Sequence, residues 1–536
     1  MKSRLRRWKW VPALLLSLLS VLCLAASCRK TAAQSAPPPS KPALRLWLLS
    51  TAAGALEPCG CRKDMLGGVD HAAALAAASG DVPQLLVGAG PLFFMNPELD
   101  ERARTQELWK AEALADSLRA MKLVAWAPGA NDWAAGGDVR QTLAKRSGAK
   151  SLAANLNDSP AGGVQVVQAG ELKVGIVGLS EPLIAGTPPE GVKVRPIEAA
   201  LKSARTRLDQ EGANLRVALL AMRRGKALRL LESVTGFQLA LIGKPFDRGE
   251  GNDAATPPVL IGETLVVEVP NHLQALARVD FYMREGITQF KDGTGVEISE
   301  RRTRLTARVR ELSERIEQWE KRGDVNAADL AARRAERDAA SKELAGLEDP
   351  APPKEGSFFR YELLEVKQSA GEDKAVKQQL AAYFKRVNDH NREAFKDRLP
   401  KEPAKGESRY VGVEACAVCH VEERAFWSKT QHARAYPTLV RDHKQFNLDC
   451  VGCHVTGYDE PGGSTVTHVD KLENVGCENC HGPGSRHVDD PENKSLIVAA
   501  PEKTLCASKC HHPPHVATSW SVDEAWKRIL GPGHGK

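Results

Sequence analysis

Set aside its first ten residues and this chain has almost no excess of either charge. The formal net charge is +7, and Lys2, Arg4, Arg6, Arg7 and Lys9 supply five of those positives. Without them 69 basic residues face 67 acidic ones. That excludes the strongly basic balance of a nucleic-acid-binding surface, so no nucleic-acid partner is expected. Long apolar runs are scarce too. The longest, VPALLLSLLSVLCLA near the N-terminus, is too short for a comfortable membrane span. Cysteine and histidine are sparse before residue 408, because the last 129 residues hold eight of the 12 cysteines and 11 of the 14 histidines. Those 129 residues have few apolar runs, so a side-chain core would be thin there and something else must fill the interior. The rest of the composition is ordinary, at 42% hydrophobic and 26% charged, which excludes wholesale disorder. The 536 residues suffice for more than one domain.

The first 27 residues have the form of a secretory signal. A basic start, MKSRLRRWKW, precedes the apolar run, which ends in LAASC. Small residues before Cys28 resemble a bacterial lipobox, although Ala25 stands where Leu is usual. The resemblance implies lipidation at Cys28, a membrane anchor made of acyl chains, and a periplasmic or cell-envelope location. The alternative is plain cleavage with Cys28 unmodified. Residues 28–43 contain APPPSKPA and read as a Pro/Ser/Ala tether.

From residue 44 to 297 short apolar runs alternate with helical stretches. LRLWLLS, PQLLVGAG, KLVAWAPG, LKVGIVGLS, LRVALLAM and FQLALIG each end near Gly, Ser or Pro. This pattern predicts an α/β domain with largely buried strands. Residues 298–347 are rich in Glu, Arg and Ala. Leu305, Val309, Leu312, Ile316 and Trp319 mark one face of an amphipathic helix, KRGDVN interrupts it, and a second helix follows from Ala327. The expectation is a helical hairpin inserted in the domain. Residues 348–407 supply a returning strand in SFFRYELLEV, one more helix and a linker, KEPAKGES.

The remaining segment, 408–536, carries CAVCH (416–420), CVGCH (450–454), CENCH (477–481) and CASKCH (506–511). C-x-x-C-H is the attachment motif of c-type haem: two thiols bond the vinyl groups and the histidine ligates the iron. Two Cys₄ zinc sites would use the same cysteines but give no reason for a histidine after every second one. A disulfide framework has the same difficulty. The cofactor-binding cysteines are therefore Cys416, Cys419, Cys450, Cys453, Cys477, Cys480, Cys506 and Cys510, with His420, His454, His481 and His511 as proximal ligands. The fourth motif has one extra residue between its cysteines. It reads either as a haem site with a bulged loop or as a decayed copy closed by a Cys506–Cys510 disulfide.

YVGVEACAVCHVEERAFWSKTQHARAY, LDCVGCHVTGYDEPGG and VGCENCHGPGSRHV resemble the c-554-type tetrahaem cytochromes, over residues 408–536. The resemblance implies a mainly α/loop multihaem domain, four haems c, and a fourth site where CASKCH stands. It also marks His432 and His487 as distal ligands, with His515 third. His487 lies six residues beyond His481 and is expected to serve a different haem. His443, His468, His512 and His534 are surplus.

The order of runs in 44–297 resembles the metallophosphatase fold of the 5′-nucleotidase family. That family's metal ligands are almost all missing. The first strand leads into TAAGALEPCGC without Asp-x-His; Pro91 replaces an Asp; Asn131 and Asp132 lack the following His; Met222 and Lys244 stand where His is expected. No phosphatase activity is expected. His71 reads as an ordinary helix residue. Cys59 and Cys61 in EPCGC form a thiol pair for metal or redox contact, or a strained turn. The expectation is a multidomain periplasmic electron carrier, with redox partner proteins at or near the membrane. The alternative is a multihaem oxidoreductase acting on a small nitrogen or sulfur compound at an open-coordination haem.

Overall fold

The computed structural model describes residues 39–58, 66–78, 80–183, 186–246, 251–322, 325–512, 516 and 520–534. Cys28, Cys59, Cys61 and His515 lie outside the described residues.

The chain is multidomain. Its first part holds two mixed sheets. The first is built from β1 (Leu44–Ser50), β2 (Gln84–Ala89), β3 (Leu123–Ala127) and β4 (Lys150–Ser151). The second contains β5 (Val164–Ala169), β6 (Leu172–Ser180), β7 (Leu215–Ala221), β8 (Leu239–Gly243), β9 (Val259–Ile261) and β10 (Thr264–Glu268). The chain then re-enters the first sheet with β11 (Ala275–Tyr282), β12 (Phe290–Asp292) and β13 (Ser357–Glu365). The strand orders are β12-β13-β11-β1-β2-β3-β4 and β5-β6-β7-β8-β10-β9. All six apolar runs noted in the sequence are parallel strands of these sheets.

Alternation along each strand decides the layers. Leu46 and Leu48 of β1 join Val217, Leu219 and Leu241 of the second sheet in a core between the sheets. Trp47 and Leu49 point the other way, toward helices. Those helices are α1 (Val69–Ala77), α2 (Arg104–Ala120), α3 (Gly137–Ser147) and, from far along the chain, a helix at Lys374–Ala394. On the opposite outer face α4 (Ile197–Gln210) and α5 (Arg224–Ser233) bury Leu201, Leu208 and Leu231 against Val177 and Leu220. The result is an α/β/β/α stack.

Between β12 and β13 the chain makes an antiparallel helical hairpin of α6 (Val296–Arg322) and α7 (Ala327–Ala345). Leu312 and Ile316 of the amphipathic stripe are buried, and the ion pairs Arg301–Glu343 and Arg308–Glu336 join the two helices. The helix at Lys374–Ala394, α8, starts at Asp373, whose carboxylate accepts from the Ala375 and Val376 N–H groups. Its buried face carries Leu380, Tyr383 and Val387, then ends in Asn388 and Asn391.

The last part has only short helices: α9 (Val413–Ala417), α10 (Val421–Trp427), α11 (Ala435–Arg441), α12 (Val451–His454), α13 (Glu478–His481), α14 (Ser485–Asp489), α15 (Thr504–Lys509) and α16 (Val522–Ile529). Its apolar cluster is small: Tyr436, Val451, Val455 and Val469, with Tyr458 beside them. Among the described residues no helix is long and apolar enough to cross a membrane.

Candidate haem-attachment cluster

The motifs lie on short helical turns, and in three of them the histidine N–H returns to the carbonyl of the first cysteine. In the first motif the His420 N–H donates to the Cys416 carbonyl at 3.0 Å, and in the third His481 donates to Cys477 at 3.0 Å. In the fourth, His511 is five residues beyond Cys506 and still donates to its carbonyl, at 2.7 Å. The inserted residue is thus absorbed as a widened π-type turn. Cys506 and Cys510 are not joined by a disulfide.

The cysteines of different motifs meet. The Cys416 thiol lies in hydrogen-bonding contact with Cys477, and Cys453 with Cys510. Sharing a hydrogen bond holds Cys416 and Cys510 up and Cys477 and Cys453 down in pKa. Cys480 lies near Cys506. The first motif therefore sits against the third, the second against the fourth, and the third near the fourth.

Several of these histidines are held toward the neutral form. The His454 Nδ1–H donates to the Ala435 carbonyl and the His481 Nδ1–H to the Val498 carbonyl, both at 2.7 Å. With Nδ1 engaged, the lone pair is on Nε2, as is usual for a ligating imidazole. Burial pushes His432, His454, His481 and His511 below the ordinary imidazole pKa, which favours the same form.

Two pairs of rings come together. His432 and His511 have centroids 6.2 Å apart, and His481 and His534 have centroids 5.9 Å apart. Trp520 stacks on His511 at 4.9 Å. Nδ1 of His487 is buried and has no hydrogen-bond partner among the described residues. His468 is engaged by Thr465 and Thr467. His534 was only a surplus histidine in the sequence, far from His481 along the chain. The signal that marks it is the run of glycines around it. This donor set of paired thiols and neutral imidazoles fits haem c, with an orphaned imidazole nitrogen left over for iron.

One buried carboxylate ties the cluster together. Glu478, inside CENCH, accepts from the N–H groups of Val411, Gly412 and Gly484 at 2.8 to 3.2 Å. It joins the segment entering the first motif to the CHGPG turn of the third. Trp427 adds a second tie, donating Nε1–H to the Val475 carbonyl at 2.9 Å.

The second motif docks on the α/β part. Gln106 of α2, buried, accepts from Asn391 Nδ2 and from the Leu448 N–H, both at 3.0 Å, and donates to Asn447 at 3.2 Å. Asn391 also donates to the Phe446 carbonyl. Lys110 pairs with Asp449 at 2.9 Å. Burial alone would lower the Lys110 ammonium, but Asp449 and Glu107 outweigh it and hold its pKa well above the ordinary value.

The positions in the α/β part singled out in the sequence are engaged within the chain. Asp132 accepts from the N–H groups of Leu92, Phe93 and Gly129 at 2.8 to 3.2 Å. Asn131 donates to the Met95 and Phe246 carbonyls. Met222 is buried, and Lys244 pairs with Asp253 at 2.8 Å. Pro91 follows Gly90 at the end of β2, in the same crossing. Away from these, the His71 Nδ1–H donates to the Gly371 carbonyl at 2.6 Å. His71 also lies with Asp70 and Glu372 in a group whose ligand atoms are within 4.8 Å of one another.

Comparison with known proteins bears on the two parts separately. Residues 415–482 match the model of the family Cytochrome c554 and c-prime. Cytochrome c-554 of Nitrosomonas europaea is 36% identical over 92 residues, which cover 14% of this chain and 39% of that protein. The chain thus spans about two fifths of the length of this curated relative. Among solved structures, a 5′-nucleotidase precursor from Thermus thermophilus is 18% identical with a TM-score of 0.44, covering 73% of this chain and 68% of its own. The sulfate thiohydrolase SoxB of the same organism is 15% identical with a TM-score of 0.44, covering 66% and 62%. The calcineurin-like phosphoesterase YfkN of Bacillus subtilis is 12% identical with a TM-score of 0.40, covering 63% and 96%. The C-terminal segment is c-554-like in sequence, and haem c is the cofactor which that match implies.

Proposed function

We propose that this chain is an exported electron carrier with four haems c, held at the cell envelope by lipid on Cys28. One observation carries the reading: the four motifs converge so that their thiols touch in pairs. Packed sites of this kind place redox centres in one continuous path. When bound, each haem supplies an iron that takes up and releases one electron. The chain's own groups do the rest. Cys416 and Cys419, Cys450 and Cys453, Cys477 and Cys480, and Cys506 and Cys510 hold the cofactors covalently. Ala435 and Val498 carbonyls orient His454 and His481. His432 stands opposite His511, which supports it as the far ligand of the fourth site. Redox partners at or near the membrane would exchange electrons with this segment.

The α/β part is proposed as a docking scaffold without hydrolytic activity. The support is chemical: Asp132, the buried carboxylate in the relevant crossing, is committed to three backbone donors. A second reading is an oxidoreductase acting on a small nitrogen or sulfur compound at an open-coordination haem.

The test is mass spectrometry and EPR of the mature wild-type protein. Four covalent haems, all low-spin, agree with the carrier. Three haems with a Cys506–Cys510 disulfide remove the fourth site, and a high-spin haem selects the second reading. The full chain should not hydrolyse nucleotides with added Mn²⁺ or Zn²⁺. Release of the Cys28→Ser protein in soluble form tests the anchor.

A further inference from the structure

We propose that Asp70, His71 and Glu372 form a binding site for one divalent metal ion of the zinc type. The site lies where α1 begins and meets the segment leading into α8. It stands apart from the haem reading and does not depend on it.

Two segments far apart in the sequence supply the donors. Asp70 and His71 stand in the first turn of α1. Glu372 belongs to the loop before α8, and its neighbour Asp373 donates its N–H to the Asp70 carbonyl at 3.1 Å. A carboxylate oxygen of Asp70, a ring nitrogen of His71 and a carboxylate oxygen of Glu372 lie within 4.8 Å of one another. Tetrahedral donors at about 2.0–2.2 Å from an ion are about 3.4 Å apart. Glu372 is exposed, so a change of its rotamer can close the difference.

The state of the two buried donors points to a ligand. Asp70 is 8% exposed and His71 7%. A carboxylate is rarely buried so far without a donor. Yet among the described residues no hydrogen bond or ion pair reaches the Asp70 carboxylate. Asp70 Oδ1 and His71 Cδ2 face one space: a Cβ on Gly68 would fall 3.0 Å from the first and 2.9 Å from the second. Gly68, at φ +99, keeps that space clear. The His71 Nδ1–H donates to the Gly371 carbonyl, so the lone pair is on Nε2, the atom bonded to Cδ2. A carbonyl holding one ring nitrogen is the usual support of an imidazole that ligates metal through the other. One imidazole with two carboxylates suits zinc and its neighbours better than calcium or magnesium, which favour oxygen alone. Lys377 pairs with Glu372 and is also drawn by the Asp70 charge, which makes its ammonium the competitor for the site. The helix dipole favours an acidic residue in a first turn. That accounts for an Asp at this position, but not for its burial against an imidazole already oriented by a carbonyl.

The experiment uses the mature full-length protein, stripped with chelator and titrated with Zn²⁺ alone. Elemental analysis after desalting should find one more zinc per chain in the wild type than in Asp70→Asn or His71→Gln. Zn²⁺ should raise the melting midpoint of the wild type more than that of either variant. Calorimetric titration should show Glu372→Gln binding more weakly by at least about tenfold, since even the loss of an outer partner of a metal ligand typically costs about 10–100-fold. Lys377→Gln removes the competitor and should bind more tightly. Equal zinc content and equal affinity in the wild type, Asp70→Asn and Glu372→Gln overturn the proposal. Should the buried variants fail to fold, the two exposed ones decide. Opposite shifts in affinity for Glu372→Gln and Lys377→Gln support the site, and no shift in either overturns it.

Discussion

The α/β part and the cysteine-rich part are held together by different means. The first has three large apolar clusters, two on the outer faces of the sheets and one between them, and a small fourth at Trp133, Ala153 and Leu156. Each fully buried leucine in them contributes roughly 1.5–3 kcal/mol. The second has four buried apolar residues in its cluster and relies on polar ties such as Glu478, Thr456 and Trp427. Hydrogen bonds add only about 1 kcal/mol each in net terms. The first region can therefore fold by its own side chains, whereas the second has too little side-chain core for that, which is what the proposed covalent haems would supply.

The largest effect should come from withholding the cofactor. Chain produced without haem attachment should lose residues from about 408 onward to limited proteolysis, while the α/β part survives as a stable fragment. Equal resistance of both parts would erase the contrast. Next, Leu219→Ala removes a buried side chain from between the sheets and should cost about 2–5 kcal/mol of α/β stability. The haem absorbance spectrum should not change.

Asp132 gives a pH test of the same region. Burial pushes its carboxyl up to about 6, against the pull of the Phe93, Gly129 and Leu92 N–H groups. The unfolded value is about 3.9. The folded state thus holds this proton more tightly, so the stability it provides is full below pH ~4 and is lost as the pH rises through ~6. The loss is on the order of 3 kcal/mol. Denaturation midpoints of the wild type should fall over that window, and Asp132→Asn should flatten the slope. The smallest effect is expected at the join. Gln106→Ala leaves the Leu448 N–H without its acceptor and Asn391 with only the Phe446 carbonyl, at a cost of about 1–3 kcal/mol. Calorimetry should show the two parts melting further apart.

Much of the fold was legible because parallel strands buried on both faces read as apolar runs, as in LKVGIVGLS and LRVALLAM. Other strands were not singled out. Lys150–Ser151, Val259–Ile261 and Phe290–Asp292 are two or three residues long, too short for any pattern, whereas Val164–Ala169, Thr264–Glu268 and Ala275–Tyr282 are longer, pair antiparallel with at least one neighbour and were passed over among the polar residues around them. The proposed attachment cysteines are picked out by spacing alone, because thioether chemistry requires two thiols and a neighbouring histidine. Partnerships between rings were not, because His481 and His534 meet only through the folded tail. Asp132 was legible as a leftover carboxylate but not in its present role, which depends on three N–H groups brought from the turns after β2 and β3. The extra residue of CASKCH leaves both readings of that motif open in the sequence, and what the fold adds is local: the His511 N–H returns to the carbonyl of Cys506.

The join at Gln106 has a consequence for assembly. The α/β part is complete by Ala394, before the first attachment motif begins. In a chain exported N-terminus first, the surface formed by α2 and α8 is finished while the cysteine-rich segment is still arriving. Residues 446–449 then have a prepared seat on Gln106, Lys110 and Asn391. Cys450 follows directly. On the proposed reading the second motif would be offered to its haem from a fixed jig, whereas the other motifs would find their places around it.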